Sequence, residues 1–425
     1  MRNKWSVLVG CLIALTFSFA PIYLFTLGVF SKPMLAELGW TRTQMSAGFA
    51  VAQLAVAIFS TASGAILDRV GSRPVILFAS LGLPLLLACF GGISSFPMYV
   101  ALAFCMGAVG SASNPPSVLA ILPKWFERNL GLSLSIASLG IGLGGVLMPM
   151  LARFAEGSFG WRGGFVALAV VVAIVGIVNA LTLVRDRDVP GRRAASGDLA
   201  APSPAVAISE QATFRDEDRA SFFRVLRAWD YWLLVAAFTV IGAIYWGTTS
   251  QLGPILSDRG LGPAETASTL SVMGIVVILG RAAGGVLLDR MSAYLLGFIF
   301  FAAASLGCVL LTVSSLHGSP YIAAMLLGAA LGGEGDVMAY VLNKRYGQRA
   351  YGKIFGLCFG VFNLGGLVGP LVLGAVYDRL HSYDTIGLIF GAAGLLAACV
   401  FFALGRTRQA DHRAGPAAIN VAPLR

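Results

Sequence analysis

Long runs of apolar residues alternate with short polar segments along almost the whole chain. An α-helix needs about 20 predominantly apolar residues to cross about 30 Å of hydrocarbon. Twelve runs reach that length, with approximate limits 7–30, 44–67, 74–94, 98–122, 130–152, 163–184, 229–251, 267–288, 293–315, 320–342, 354–376 and 385–405. The pattern therefore predicts an all-α membrane protein with twelve transmembrane helices.

One long polar segment divides these twelve runs into two groups of six. It is rich in Ala, Pro, Ser, Asp and Arg, a composition typical of a linker. We predict an N-terminal six-helix bundle over residues 1–188, a cytoplasmic linker over 189–226, a C-terminal six-helix bundle over 227–408 and a cytoplasmic tail over 409–425.

The two groups of six runs are copies of one unit. Sliding the second half against the first by 221 residues, without a gap, superimposes ten identical residues. Their first-half positions are Pro33, Gly39, Gly64, Asp68, Arg69, Gly107, Arg128, Gly131, Gly145 and Pro149. Duplicated units of this kind form two pseudo-symmetric bundles with the ligand near the midplane between them.

The composition supports a membrane location and also sets the orientation. Hydrophobic residues make up 57% of the chain and charged residues 12%, which excludes a soluble domain. If both termini are cytoplasmic, the inner segments hold 23 Lys and Arg and the outer loops hold six. We therefore expect a multi-pass protein of the inner (plasma) membrane with both termini inside. The net charge of +10 then reflects topology and lipid attraction, and predicts no nucleic-acid partner.

A single arginine, Arg281, lies in the middle of an apolar stretch, 272–288, that holds no other charge. Its guanidinium stays protonated at any usual pH, and a charge at the centre of a bilayer span costs about 3 kcal/mol. It must face a partner, a cavity or an anionic ligand. A fixed cation in a low-dielectric cavity favours a carboxylate through a bidentate contact. The repeat aligns Arg281 with Ser60, so only one half carries this charge.

Two acids, Glu334 and Asp336, lie in the tenth run. Residues two apart on a helix are separated by about 200°, so both cannot face one cavity. We favour Glu334 for the cavity and for proton coupling because Asp336 lies nearer the basic end of the run, and Asp336 is the second candidate. In the alternative interpretation, Glu334 and Arg281 simply neutralise each other.

Other polar side chains at membrane depth are candidate substrate contacts. They are Tyr23, Asn114, Tyr245, Tyr340 and Asn363. Asn114 differs from the rest because two prolines follow it and break the helix, which is tolerated at this depth only beside a cavity. The tyrosines fit ordinary helix packing equally well. The six cysteines lie in apolar runs without metal-ligand spacing and the three histidines lie in loops or the tail, so we expect no metal, no cofactor and no buried histidine relay.

The segment after the second run, Gly64–Arg73, fits the pattern G-x-x-x-D-[RK]-x-G-x-[RK] at every defined position. It resembles the loop signature of the major facilitator superfamily. The resemblance implies a gating latch in which the aspartate accepts hydrogen bonds from a neighbouring helix terminus and the arginines pair with it and with lipid phosphates. The predicted gating residues are Gly64, Asp68, Arg69, Gly71 and Arg73, with Asp289 and Arg290 in the second copy. That copy lacks the later glycine and arginine, which predicts a weaker latch. The alternative is a plain positive turn.

Three further passages are similar to the monocarboxylate transporter family and its oxalate/formate antiporter relatives. They are 28–44, the segments 107–115 and 125–133 around the fourth and fifth runs, and the eighth run, where these transporters carry an arginine at the place of Arg281. The chain departs from animal members at Val277, where they carry an aspartate, and it lacks the lysine of the oxalate exchangers in run 354–376. The resemblance implies a small organic anion as substrate.

Together these features predict a twelve-helix major facilitator fold and a secondary active transporter that moves a small organic anion by alternating access. We expect a monomer, not an enzyme, with proton symport as the preferred coupling. Two alternatives remain within transporters: an exporter of hydrophobic or aromatic compounds, and a carboxylate exchanger without proton coupling. The absence of a nucleotide-binding loop argues against a pump.

Overall fold

The computed structural model describes residues 4–126, 128–184, 221–252, 255–256, 259–313, 319–348, 350–380 and 382–413. Over these residues the chain is helical and contains no strand. Most of the predicted linker, and the end of the predicted tail, lie outside the described residues.

The first half contains seven α-helices. They are α1 (Lys4–Thr16), α2 (Phe25–Leu38), α3 (Arg42–Val70), α4 (Ser72–Phe90), α5 (Phe96–Gly110), α6 (Pro115–Leu119) and α7 (Leu130–Thr182). A π-helical turn, Ala20–Leu24, links α1 to α2, so the first predicted span is one bent path. The fourth span is also broken, because a 3-10 turn, Ser111–Ser113, and an extended residue, Asn114, separate α5 from α6.

Helix α7 contains two of the predicted spans. Its 53 residues would extend about 80 Å at 1.5 Å per residue, too far for one crossing of a bilayer. Gly160 interrupts it with φ 67° and ψ 174°, a backbone conformation that side chains disfavour and glycine tolerates. Two helices therefore meet at Gly160, between the predicted spans 130–152 and 163–184.

In the described part of the second half, six long helices each match one predicted span. They are α8 (Trp229–Ser250), α9 (Pro263–Arg290), α10 (Ala293–Thr312), α11 (Ser319–Tyr346), α12 (Tyr351–Leu380) and α13 (Asp384–Arg413). Among the described residues, 11 helical stretches are long and apolar enough to cross a membrane, and the stretch with the break at Gly160 holds two spans. The fold prediction of twelve helices is thus confirmed. The last helix runs to Arg413, beyond the predicted end of the second bundle at residue 408.

The two halves meet along two seams. In the first seam α3 packs on α12, and in the second seam α7 packs on α9 and α11. Glycines allow both approaches: a Cβ added to Gly64 would lie 1.9 Å from the carbonyl oxygen of Gly352, and one added to Gly131 would lie 2.8 Å from that of Gly285.

Both seams lie toward the end of the bundle that carries Asp68, which we call the Asp68 end. Buried apolar side chains from both halves form one continuous cluster there, with Leu67 and Leu122 from the first half and Leu288 and Ile354 from the second among its members. The buried residues of the two remaining clusters each come from a single half. The halves are therefore joined at the Asp68 end and keep separate cores elsewhere.

Candidate functional site

Arg281 lies on α9 at the second seam, where it contacts both halves. Its Nε donates to the carbonyl oxygen of Gly332 on α11 at 3.2 Å, and its Nη1 donates to that of Ser138 on α7 at 2.5 Å. Its Nη2 has no hydrogen-bond partner among the described residues. Neutral carbonyl oxygens therefore hold the guanidinium, and one of its nitrogens is left without a partner.

Asp336 lies on α11 and reaches across the same seam. Its side chain is 1% exposed and accepts two hydrogen bonds from α7, from the hydroxyl of Ser135 at 2.7 Å and from that of Ser138 at 2.6 Å. Ser138 thus bonds to Arg281 through its carbonyl group and to Asp336 through its hydroxyl group. The two donors compensate the negative charge of a buried carboxylate.

Glu334 is also buried, at 3% exposure, but its surroundings differ. Neither carboxyl oxygen has a hydrogen-bond partner among the described residues, and Glu334 forms no ion pair within 4.0 Å of Arg281. Its electrostatic interactions are with Arg281 on α9, Tyr245 on α8 and Cys358 on α12, all in the second half. Both acids thus interact electrostatically with Arg281, but only Asp336 accepts hydrogen bonds from hydroxyl groups of the first half.

The remaining second-half candidates interact with different partners. Tyr245 is buried within electrostatic range of both Arg281 and Glu334. Tyr340 instead interacts with Asp289 at the Asp68 end. The side-chain amide of Asn363 donates to a carbonyl oxygen of its own helix at 2.7 Å. Of these three, only Tyr245 joins the Arg281 site in this structure.

The two first-half candidates lie in different surroundings. Asn114 sits at the break between α5 and α6, with an extended backbone (φ −75°, ψ 166°) and a buried side chain that has no hydrogen bond to the described residues. Tyr23 is fully buried, with its ring 5.6 Å from that of Phe19 and 5.3 Å from that of Phe90. Tyr23 thus packs within the first half with a buried hydroxyl group that has no hydrogen-bond partner among the described residues, and Asn114 keeps an unpartnered amide.

The aspartates of the two signature copies cap helices of the opposite half. Asp68 accepts hydrogen bonds from the backbone N–H groups of Gly352 at 2.8 Å and Lys353 at 3.0 Å, in the first turn of α12. A negative charge is stabilised at a helix N-terminus, where N–H groups lack partners within the helix.

Asp289 forms the same cap on the other seam. It accepts from the backbone N–H groups of Gly131 at 2.8 Å and Leu132 at 2.9 Å, in the first turn of α7. The second copy has lost the later glycine and arginine of the signature, and its two hydrogen bonds match those of the first. Both caps bridge the halves, which a plain turn would not do.

The basic residues of the signature lie near the C-terminal ends of helices. The guanidinium of Arg73 donates to the carbonyl oxygens of Ala180 at 3.3 Å and Leu181 at 3.0 Å, near the C-terminus of α7. Arg69 and Arg290 lie in the last turns of α3 and α9, where a helix favours positive charge. Gly71 has φ 90°, a left-handed conformation that explains the glycine at this position of the signature.

Two residues of the site were missed by the sequence prediction, Ser135 and Ser138. With Gly131 they lie at positions i, i+4 and i+7 of α7, which places all three on one helical face. That spacing of small residues was a signal for a close helix contact. No group of three or more His, Cys, Asp or Glu among the described residues could hold a metal ion, and no described cysteine forms a disulfide.

The sequence matches a known protein family. The family model described as Major Facilitator Superfamily matches residues 8–357. The chain is 23% identical to monocarboxylate transporter 4 of Rattus norvegicus, over 96% of this chain and 85% of that protein. It is 24% identical to the probable nitrate/nitrite transporter NarK2 of Mycobacterium tuberculosis, over 89% and 91%.

A solved structure shares the fold. The human organic anion transporter MFSD10 superimposes with a TM-score of 0.69 at 16% identity, over 94% of this chain and 99% of that one. The family match covers most of the described helices and the whole of the second seam. This chain therefore belongs to the major facilitator superfamily and is a membrane transporter of that family.

Proposed function

We propose that this transporter moves a small, monocarboxylate-like organic anion across the inner (plasma) membrane by alternating access, coupled to protons. The observation that carries the proposal is Arg281: it lies between the halves, and only neutral carbonyl oxygens accept its hydrogen bonds. A carboxylate offers the planar, charged partner that a guanidinium favours. The names of these similar proteins also describe anion transport, of monocarboxylates, of nitrate and nitrite, and of organic anions.

The orientation of this proposal follows from charge. We assign the Asp68 end to the cytoplasm because 23 of the 30 Lys and Arg lie in segments on that side. The two aspartate caps and the shared core then close the cytoplasmic side. On this assignment we propose that this state faces outward and that the transporter acts as a monomer in the lipid bilayer.

Proton coupling is assigned to Glu334, with Asp336 as the second candidate. Asp336 accepts two hydroxyl hydrogen bonds, whereas Glu334 accepts none. Burying a carboxylate without a partner is costly, so Glu334 is the acid that gains most from holding a proton. When a substrate carboxylate takes Arg281, Glu334 loses the nearest compensating cation. Substrate and proton then cross together as a neutral complex.

The other proposed contacts complete the path of the anion. Tyr245 lies beside Arg281 in this state. Asn114 would donate its unpartnered amide from the first half. We propose Tyr23, Tyr340 and Asn363 as contacts made in other states of the cycle.

A thermal-shift screen of purified protein tests the proposal against an exporter of aromatic or cationic compounds. L-lactate, pyruvate, oxalate and aromatic acids are compared with drug-like cations, for the wild type, for Arg281→Ala and for Ser60→Ala, the aligned position of the other half. A ligand at 100 times its Kd stabilises the native state by about 2.7 kcal/mol. We expect a small carboxylate to raise the Tm of the wild type and of Ser60→Ala, but not of Arg281→Ala. Stabilisation by cations alone, or an equal carboxylate shift in Arg281→Ala, would contradict the proposal.

A further inference from the structure

Ser138 joins the proposed anion site to the seam that closes the Asp68 end. Its carbonyl oxygen accepts from Arg281, and its hydroxyl group donates to Asp336. Both bonds cross from α7 to the second half. No other described residue contacts both of these charged side chains through hydrogen bonds.

A carboxylate bound to Arg281 competes with this arrangement. A bidentate contact uses N–H groups on two adjacent nitrogens of the guanidinium. Nε and Nη1 already donate to Gly332 and Ser138, and Nη2 does not donate. A carboxylate that approaches across Nη1 and Nη2 therefore shares Nη1 with the Ser138 carbonyl group, because Nη1 carries two N–H groups.

We propose that Ser138 is a positioning residue that makes opening of the second seam depend on occupancy of Arg281. This rests on the proposed function, in which Arg281 binds the substrate carboxylate. With the site empty, Ser138 holds Arg281 and Asp336 against α7 and keeps the Asp68 end closed. When the substrate binds Arg281, the charged carboxylate draws the guanidinium toward itself and weakens the hydrogen bond to the Ser138 carbonyl group. The Ser138–Asp336 hydrogen bond then loses the support of this second bond, and the seam opens more readily.

The test follows opening at Leu288, which is 2% exposed and lies against Gly131 in the closed seam. Leu288→Cys is placed in a chain whose six native cysteines are replaced, and the rate of its alkylation by a water-soluble maleimide is measured without any substrate. A thiol that is buried in the closed state reacts in proportion to the open population. Small open populations are thus measurable.

Ser138→Ala removes the hydroxyl donor to Asp336 and leaves a small side chain. Loss of a hydrogen bond to a charged group predicts an increase in the alkylation rate of about tenfold. Ser133→Ala is the matched control, because that hydroxyl donates only to Asn129 beside its own helix. We expect Ser133→Ala to react at the rate of the parent and Ser138→Thr, which keeps a hydroxyl group, to restore it.

Arg281→Ala tests the link to the anion site. It frees the Ser138 carbonyl without any ligand, so we expect it to raise the alkylation rate as well. The role of Ser138 in closing the seam is overturned if Ser138→Ala reacts no faster than Ser133→Ala. The dependence of the seam on Arg281 is overturned if Arg281→Ala reacts at the parent rate. Because no substrate is present, these outcomes are independent of the thermal-shift screen that tests the proposed function.

Discussion

The two seams come from the same duplicated helices and each carries one aspartate cap. Beyond the caps, the first seam is closed by backbone contacts and the second by polar side chains. In the first seam a Cβ on Gly356 would lie 2.4 Å from the carbonyl oxygen of Ser60, and one on Gly360 would lie 2.6 Å from that of Ala57. Neither position has room for a side chain. Away from the Asp68 cap, the backbones of α3 and α12 therefore lie in direct contact.

In the second seam the aligned positions carry side chains. Ser135 stands where the first seam has Gly356, and Arg281 stands where it has Ser60. Ser135 and Ser138 bond to Asp336, and Arg281 bonds to Ser138. The second seam can therefore respond to a ligand or a proton through Arg281 and Asp336, whereas Ser60 and Gly356 at the aligned positions of the first seam carry no charge.

The tenth and fourth spans show the same divergence. At the repeat offset of 221 residues, Glu334 aligns with Ser113 and Asp336 with Pro115. The first half uses these positions to break the helix, and the second half uses them to carry two acids on the continuous helix α11. The comparison teaches that one copy supplies a bent path and the other supplies the charges.

The largest effect is expected at Glu334, the acid that no described residue stabilises through a hydrogen bond. Glu334→Gln mimics the protonated form, so it should abolish uptake of L-lactate driven by an inward proton gradient in proteoliposomes. Substrate counterflow, which needs no net proton movement, should be retained. Persistent gradient-driven uptake would move the proton site to Asp336. Loss of counterflow as well would make Glu334 a binding partner of Arg281 and favour an exchanger.

The next effect compares one glycine from each seam. In Gly64→Ala the new Cβ would lie 1.9 Å from the carbonyl oxygen of Gly352. This oxygen belongs to the backbone and cannot move aside by a side-chain rotation. In Gly285→Ala it would lie 2.4 Å from the Cβ and Oγ of Ser135 and 2.9 Å from the nearest backbone atom, the carbonyl oxygen of Gly131, so the backbone contact is less severe. We expect Gly64→Ala to reduce the closed population at the Asp68 end more strongly, as measured by spin-label distances across that end. A larger effect of Gly285→Ala would mean that the second seam is the less tolerant one.

A smaller and equal effect is expected at the two capping aspartates. Each accepts two backbone hydrogen bonds, so Asp68→Asn and Asp289→Asn should each lose a charged cap, a change of about 1 to 2 kcal/mol. Both should shift the distance distribution toward an open Asp68 end and change turnover more than substrate affinity. A clearly weaker effect of Asp289→Asn would restore the prediction, made from its incomplete signature, that the second latch is the weaker.

The smallest effect is expected outside both seams, at Glu37, which follows the first span. The indole N–H of Trp161 and the guanidinium of Arg162 hold the pKa of the Glu37 carboxyl below its ordinary value of 4.5. A lowered pKa in the folded state stabilises the fold above the ordinary value and is lost as the pH falls. The Tm of Glu37→Gln should fall slightly below that of the wild type at pH 7. The difference should shrink below pH 4.5; a difference that grows in acid would contradict this assignment.

The sequence predicted the helices well because their length and hydropathy are local properties. The two spans of α7 were predicted as separate helices, and the structure breaks the helix between them, at Gly160. The loop signature located Asp68 and Asp289. It did not identify their donors, because those lie in helices 284 and 158 residues away in the chain.

The site was harder to predict because it depends on how helices rotate against one another. Helix geometry alone showed that Glu334 and Asp336 must point to different sides of their helix. It could not show that Asp336 accepts hydrogen bonds from two serines of the other half, nor that the carbonyl group of Ser138 accepts one from Arg281. Those contacts arise from the packing of α7 on the second half, which neither a charge count nor a hydropathy run records.

The account depends most on the claim that Arg281 binds the anion through its planar fork. The direct test is the initial rate of L-lactate uptake into proteoliposomes by Arg281→Lys, with Ser60→Ala as the aligned control. Lysine keeps the charge and loses the bidentate geometry, so we expect uptake to fall about 10- to 100-fold while the protein remains folded. Ser60→Ala, whose hydroxyl donates only within its own helix, should transport at the wild-type rate. Wild-type uptake by Arg281→Lys, or an equal loss in Ser60→Ala, would contradict the account.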